Sequence, residues 1–252
     1  MVENILEVKN LSVDVSGKRI LEDINLDVPT GEVHVLFGPN GSGKSSLIMT
    51  ILGFPSYKVA SGEIWFKGKD VTYLPVNERV KLGMSVAFQN PPVIRGVKLG
   101  GIIDYLAPDK EKAADLVEKV KFPPEFLKRD VNLGFSGGEV KKSEVLQVLA
   151  QGGDFVMLDE PDSGVDVENL QLVGKIIHEA LADRSALIIT HLGHILRYVS
   201  ADRAHVLIGN TVACSGEPVK ILGQILNEGY AWCMKCPKLG KPHREQGINP
   251  LH

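Results

Sequence analysis

With 252 residues, 44% of them hydrophobic and 23% charged, the chain carries enough apolar side chain to bury a sizeable core, which excludes a largely disordered polypeptide. Its 28 Lys and Arg against 31 Asp and Glu give a formal net charge of −3, so no general basic surface calls for a nucleic-acid partner. The 3 cysteines, Cys214, Cys233 and Cys236, are too few and too clustered for a disulfide framework and fit a reducing cytosol. No basic segment followed by an apolar run opens the sequence, and no stretch approaches the roughly 18 apolar residues of a membrane span. The expectation is a cytoplasmic chain with no direct membrane insertion.

In chain order, β-branched and polar residues alternate from Leu6 to Val15 and again from Arg19 to Val28, around Ser16, Gly17 and Lys18. That pattern predicts an antiparallel hairpin opening an antiparallel β subdomain. From Glu32 the pattern changes: Val33, Val35, Leu36 and Phe37 form a short apolar strand, Gly38 to Gly43 a loop, and Lys44 to Leu52 a helix. Met84 to Phe88 reads as a further strand. Helix-forming stretches around Ile102, Ala113 and Val145, with little strand signal, predict a helical subdomain over about residues 90–151. The runs Phe155 to Leu158 and Ala186 to Ile189 lack alternation, as expected of parallel strands covered on both faces. Between them Leu170, Val173, Ile177 and Leu181 recur at three- and four-residue spacing, which makes Val167 to Ala182 the crossover helix of a βαβ unit. The fold class is therefore α/β, a mixed sheet core with antiparallel and helical subdomains. Beyond Glu228 the chain is rich in Lys, Pro and Gly without periodicity and is expected outside the core. The domain is placed at residues 1–232 and a tail at 233–252.

Three motifs carry chemistry. Gly38, Pro39, Asn40, Gly41, Ser42, Gly43, Lys44 and Ser45 match the GxxxxGK[ST] phosphate loop in full, between a predicted strand and a predicted helix. The glycines let backbone N–H groups and a helix N-terminus close around phosphate. Lys44 would reach the β- and γ-phosphates, and Ser45 would ligate magnesium; Ser46 follows on the same turn. The strand Phe155 to Leu158 delivers Asp159 and Glu160 at its C-terminal end, where parallel sheets place their ligand sites. Acidic residues at that point also start helices, but with a phosphate loop upstream the chemical reading wins: Asp159 as a magnesium ligand through water, Glu160 as the carboxylate that polarises the attacking water. Phe135 is followed by Ser136, Gly137, Gly138 and Glu139 at the head of a helical stretch. Alone this is a helix cap; in a chain with a phosphate loop it is a second phosphate grip.

With Gln89, Asp166 and His191 added, these motifs stand in one order that resembles the ATP-binding-cassette family. The resemblance implies a P-loop ATPase with ATP and Mg2+ as ligands. It makes Gln89 the Q-loop residue that touches magnesium and relays nucleotide state to the helical subdomain. His191 becomes the switch histidine that donates to the γ-phosphate. Residues 162–166, ending at Asp166, become the D-loop. It also implies that the signature residues Ser136 to Glu139 of one copy cover the nucleotide on the phosphate loop of a second copy. By this reading Glu160, His191 and Lys44 are the catalytic residues.

Within that family the wording is similar to the SufC-type ATPases of SUF iron–sulfur cluster assembly, notably in Val131 to Glu139, Asp162 to Asp166 and Glu228 to Trp232. This branch implies soluble SufB-like and SufD-like scaffold partners; the alternative is the nucleotide-binding subunit of a membrane importer. Three departures accompany the resemblance. The segment from Gly96 to Asp130 is short, which bears on the partner surface. Cys233, Cys236 and His243 have no counterpart, and one CxxC supplies only half a zinc site, so plain thiols are expected. Val13 and Val15 stand where many members stack an aromatic on adenine, implying loose base selectivity.

Overall fold

The computed structural model describes residues 3–191 and 193–234. The chain opens with the expected hairpin, β1 (Asn4–Val15) and β2 (Lys18–Pro29), paired antiparallel with Val15 opposite Lys18. Next come β3 (Val33–Phe37), α1 (Lys44–Leu52), β4 (Lys58–Phe66), β5 (Lys69–Asp70), α2 (Val76–Lys81) and β6 (Met84–Ala87). The following segment holds β7 (Ile94–Lys98), α3 (Leu99–Leu106), α4 (Lys110–Lys119), β8 (Asp130–Val131) and α5 (Gly137–Gln151). The chain returns through β9 (Phe155–Asp159), α6 (Val167–Ala180), β10 (Ser185–Ile189), β11 (Arg203–Ile208), β12 (Thr211–Gly216), α7 (Pro218–Glu228) and α8 (Ala231–Met234).

Two sheets organise these elements. A four-stranded sheet runs in the order β2-β1-β4-β5, and a six-stranded sheet in the order β12-β11-β3-β10-β9-β6. In the second, β3, β6, β9, β10 and β11 are parallel and β12 alone is antiparallel. Every residue of β3, β9 and β10 is buried, because layers cover both faces, and this is why these strands read as unbroken apolar runs.

One hydrophobic cluster fills the space between the antiparallel sheet, α1 and one face of the central sheet, with Leu6, Ile24, Leu47, Ile51 and Leu187 fully buried. A second lies on the opposite face, where Leu99, Leu146, Val173 and Ile177 pack from α3, α5 and α6. Arg79 is buried inside the first and donates to the carbonyls of Thr50 at 2.9 Å, Ile51 at 2.7 Å, Thr72 at 2.8 Å and Leu74 at 2.8 Å. Two of these carbonyls lie in the last turn of α1, so one guanidinium helps close the helix that the phosphate loop starts. Burial lowers its pKa to about 10.

Two expectations change. The segment read as helical with little strand signal also contains the β7–β8 pair, in which Ile94 faces Val131 and Lys98 faces Asp130. A two-residue strand such as β8 is too short to show alternation. The chain beyond Glu228, expected outside the core, belongs to it through residue 233: Cys233 is fully buried, and Tyr230 and Trp232 pack on a cluster with Phe37, Val206 and Ile221. Gly229, at φ 68°, ends α7 and turns the chain back onto the sheet. Composition taken over residues 229–252 hid this short apolar segment. Cys236 and His243 lie outside the described residues. Among the described residues no helix is long and apolar enough to cross a membrane.

Candidate active site

Four adjacent parallel strands, β3, β10, β9 and β6, end at one edge of the central sheet. Each delivers a predicted site residue there: the loop from Gly38 after β3, His191 after β10, Asp159 and Glu160 at β9, and Gln89 after β6. The cleft between them has a volume of about 660 Å3 and is lined by Asn40, Gly41, Gly43, Lys44, Ser45, Ser46, Gln89, Glu160 and His191. Convergence at the C-terminal edge is where open parallel sheets bind ligands.

The loop wraps tightly because its turns need glycine. Gly43 caps α1 at φ 102°, and a Cβ there would lie 2.7 Å from the Leu21 side chain. Lys44 follows as the first helical residue, 5% exposed, and its ammonium donates to the carbonyls of Gly38 at 2.8 Å and Pro39 at 3.1 Å. Burial pushes its pKa down, while Glu160 and Asp159 pull the other way. Two neutral carbonyls are weak partners for a buried cation, and an anionic phosphate is a stronger one.

Opposite the loop, Gln89 donates its side-chain amide to the Glu160 carboxylate. Glu160 has φ 48°, a conformation few non-glycine residues adopt, and its N–H donates to the Ile189 carbonyl at 2.9 Å. The strained backbone aims the carboxylate into the cleft instead of along β9.

The ABC transporter family pattern matches residues 21–163. The chain belongs to the ATP-binding-cassette family. The cassette is thus a P-loop ATP hydrolase. It is 38% identical to "Probable ATP-dependent transporter SufC" of Escherichia coli (strain K12), an alignment covering 90% of this chain and 98% of that protein. A probable ABC transporter ATP-binding protein of Streptococcus pyogenes serotype M18 is likewise 38% identical, over 90% of this chain and 94% of its own. Among solved structures, the cassette of an ABC transporter in its ADP conformation superimposes with TM-score 0.74 at 25% identity, covering 94% of this chain and 96% of that one. The resemblance read from the motifs, to the family and to its SufC branch, is borne out.

Asp159 in the cassette is almost fully buried, and burial raises its pKa. Ser45 hydrogen-bonds its carboxylate, yet Oδ1 is buried with no partner. A buried carboxylate oxygen left over beside a hydroxyl offers hard oxygen donors, the kind Mg2+ takes. The residues present fit that ion.

Other predicted residues lie outside the cleft of one cassette. Ser136 is exposed and closes a capping box on α5, its N–H donating to Glu139 Oε2 at 2.7 Å and its hydroxyl accepting from Glu139 N–H at 3.4 Å. Gly137 sits against the Gly164 carbonyl, where a Cβ would come within 2.5 Å, so the signature and D-loop segments touch. Asp166 caps α6, accepting from the Asn169 N–H at 2.9 Å. Val13 is fully buried in the core and Val15 half-buried, while the apolar side chain lining the cleft is Ile20.

The motif reading missed several neighbours of the site. Lys141, buried in α5, donates to the Gln89 carbonyl at 2.9 Å, and Glu144 one turn later accepts from the Phe88 N–H at 3.1 Å. Burial lowers the pKa of Lys141 and raises that of Glu144. Asp162, read from the motifs only as the start of the D-loop, accepts from the Thr190 hydroxyl at 2.7 Å and the Ile195 N–H at 3.3 Å, holding the segment around His191. The same helix also carries Glu139, Lys142, Gln147 and Gln151, so its sequence did not set Lys141 and Glu144 apart as the buried charges. The resemblance marked Glu228 to Trp232 but gave Tyr230 no role, because its contact with His191 comes from far along the chain.

Proposed function

We propose that the cassette hydrolyses Mg-ATP between two copies of itself and uses the cycle to move a soluble scaffold of SufB and SufD type during iron–sulfur cluster assembly in the cytoplasm. Binding rests on Gly38 to Ser46: backbone N–H groups of the loop and the α1 N-terminus receive the phosphates, and Lys44 exchanges its two carbonyl partners for β- and γ-phosphate oxygens. Ser45, Asp159 and Gln89 would hold Mg2+, which when bound neutralises charge on the β- and γ-phosphate oxygens. Glu160, once released from the Gln89 amide, would accept from and orient the attacking water, and His191 would donate to the γ-phosphate. Positioning and charge neutralisation are most of what phosphoryl transfer requires, so this set suffices.

The carrying observation is the convergence of Lys44, Gln89, Glu160 and His191 on one cleft while Ser136, Gly137 and Asp166 face solvent elsewhere. A cleft open on the γ-phosphate side and an exposed signature on the same chain complement each other in a head-to-tail pair. The scaffold half rests on the full-length likeness to the E. coli protein named SufC. The likeness to a protein named as an ABC transporter subunit supports a second reading, a membrane importer. Purification from native cells without detergent tests the choice. Capture of a soluble SufB-like protein, weakened by Val93→Ala or Ile94→Ala with ATP binding intact, supports the first. Recovery only with membranes and a polytopic protein establishes the second.

A further inference from the structure

The segment after α7 reaches the cleft by a route no motif describes. Tyr230 donates its hydroxyl to the His191 carbonyl at 3.1 Å, with the Gly38 backbone beside the same oxygen. Its ring lies nearly parallel to the His191 imidazole, 19° between planes and 6.2 Å between centroids. One phenol therefore spans the two loops that flank the γ-phosphate position. We propose that Tyr230 is a positioning residue for ATP hydrolysis, a strut that fixes the His191 loop against the first residue of the phosphate loop.

Three observations support this. First, His191 has no anchor of its own on the ring, since Nδ1 is buried with no hydrogen-bond partner. Its placement depends on the backbone: Asp162 holds Thr190, the Thr190 hydroxyl accepts the Gly193 N–H at 2.9 Å, and Tyr230 holds the carbonyl of His191 itself. Second, Tyr230 is carried rigidly. Gly229 at φ 68° turns the chain out of α7, the Cys233 N–H donates to the Tyr230 carbonyl at 3.1 Å, and the buried Cys233 and half-buried Trp232 seat α8 on the sheet. Third, a half-buried phenol that needs only packing could be phenylalanine, whereas this hydroxyl donates to the main chain of one nucleotide-facing loop and lies beside the main chain of the other. Tilting the His191 loop breaks that bond, so the hydroxyl ties the loop to the segment after α7.

The inference rests on the reading of His191 as the donor to the γ-phosphate, and the experiment separates the two. Tyr230→Phe keeps the ring and removes the strut. Affinities are measured for ADP and for the non-hydrolysable β,γ-imido analogue of ATP, both with Mg2+, in the full chain, in Tyr230→Phe, in His191→Ala and in the double variant, with turnover alongside. The expected result is a loss of about fivefold in analogue affinity and in kcat for Tyr230→Phe, the scale of one hydrogen bond, with ADP affinity within about twofold of wild type. In the His191→Ala background Tyr230→Phe then changes nothing further. Equal losses for both nucleotides, the same loss in both backgrounds, or no loss would overturn the role of Tyr230 and leave that of His191 standing. If His191→Ala itself leaves the analogue-to-ADP ratio unchanged, the reading of His191 fails and this inference falls with it.

Discussion

The side-chain amide of Gln89 hydrogen-bonds the carboxylate of Glu160, and the backbone of Glu160 is held at φ 48° by the adjoining strand. The residue expected to touch the metal therefore occupies the residue expected to orient water. Glu160→Gln keeps the shape and removes the charge. Phosphate release should fall by about 100-fold or more, the usual scale of a lost general base, while ATP binding persists. Wild-type turnover in this variant would assign the role to another group.

Lys44 is the one cation of the phosphate loop and rests on carbonyls at 2.8 and 3.1 Å. Lys44→Ala should weaken ATP binding by about 10- to 100-fold, the scale of a charge-assisted hydrogen bond to phosphate. Titration with a fluorescent nucleotide measures it, and unchanged affinity would refute the assignment.

Much of this was legible in the sequence for local reasons. Strands such as Phe155 to Leu158 are buried on both faces, so hydrophobicity alone marks them, and the phosphate loop needs particular residue types at fixed spacing. What escaped depends on contacts between distant segments. Arg79 meets Thr50 and Ile51 only after α2 folds over α1, and Tyr230 meets Gly38 and His191 across most of the chain. Val13 could not be assigned from its neighbours because the register shifts along β1 decide which of its side chains face the core.

Because Ser136 and Gly137 are exposed on the free cassette, closure on a second copy should be detectable as assembly. Glu160→Gln with saturating ATP should sediment as a dimer, by mass action of a ligand bound between subunits. Adding Ser136→Arg should return it to monomer without changing affinity of the monomer for ADP. Sedimentation as monomer with ATP at high protein concentration would count against a self-sufficient pair.

Arg79 offers a stability test away from the chemistry. Arg79→Met fills a similar volume but removes the guanidinium from four carbonyls, of which Thr50 keeps the Gly53 N–H. Net hydrogen bonds of about 1 kcal/mol each put the loss at about 3 kcal/mol or more, read from the midpoint of urea unfolding. A shift below about 1 kcal/mol would mean that water replaces the guanidinium.

The last prediction concerns pH and a buried histidine pair under the central sheet. His34 in β3 is 1% exposed and contacts Glu32 Oε2 at 2.8 Å and His205 Nε2 at 3.0 Å; His205 Nδ1 meets the Ser215 hydroxyl at 2.8 Å. Burial is the largest influence on His34 and lowers its pKa from 6.5; Glu32 and Asp202 oppose the shift and Arg203 adds to it. A folded-state value below the unfolded one means that the unfolded chain binds the extra proton first as pH falls. Stability is then full above about pH 6.5 and declines below it, until the folded-state value is passed, with a slope of at most about 1.4 kcal/mol per pH unit for one proton. His34→Gln carries no titrating group and keeps a donor and an acceptor for its neighbours. Unfolding free energies measured from pH 7.5 to 5.5 should therefore fall more steeply in the wild type than in His34→Gln. Parallel curves would show that His34 takes its proton as readily in the fold as in the unfolded chain, and that Glu32 outweighs burial.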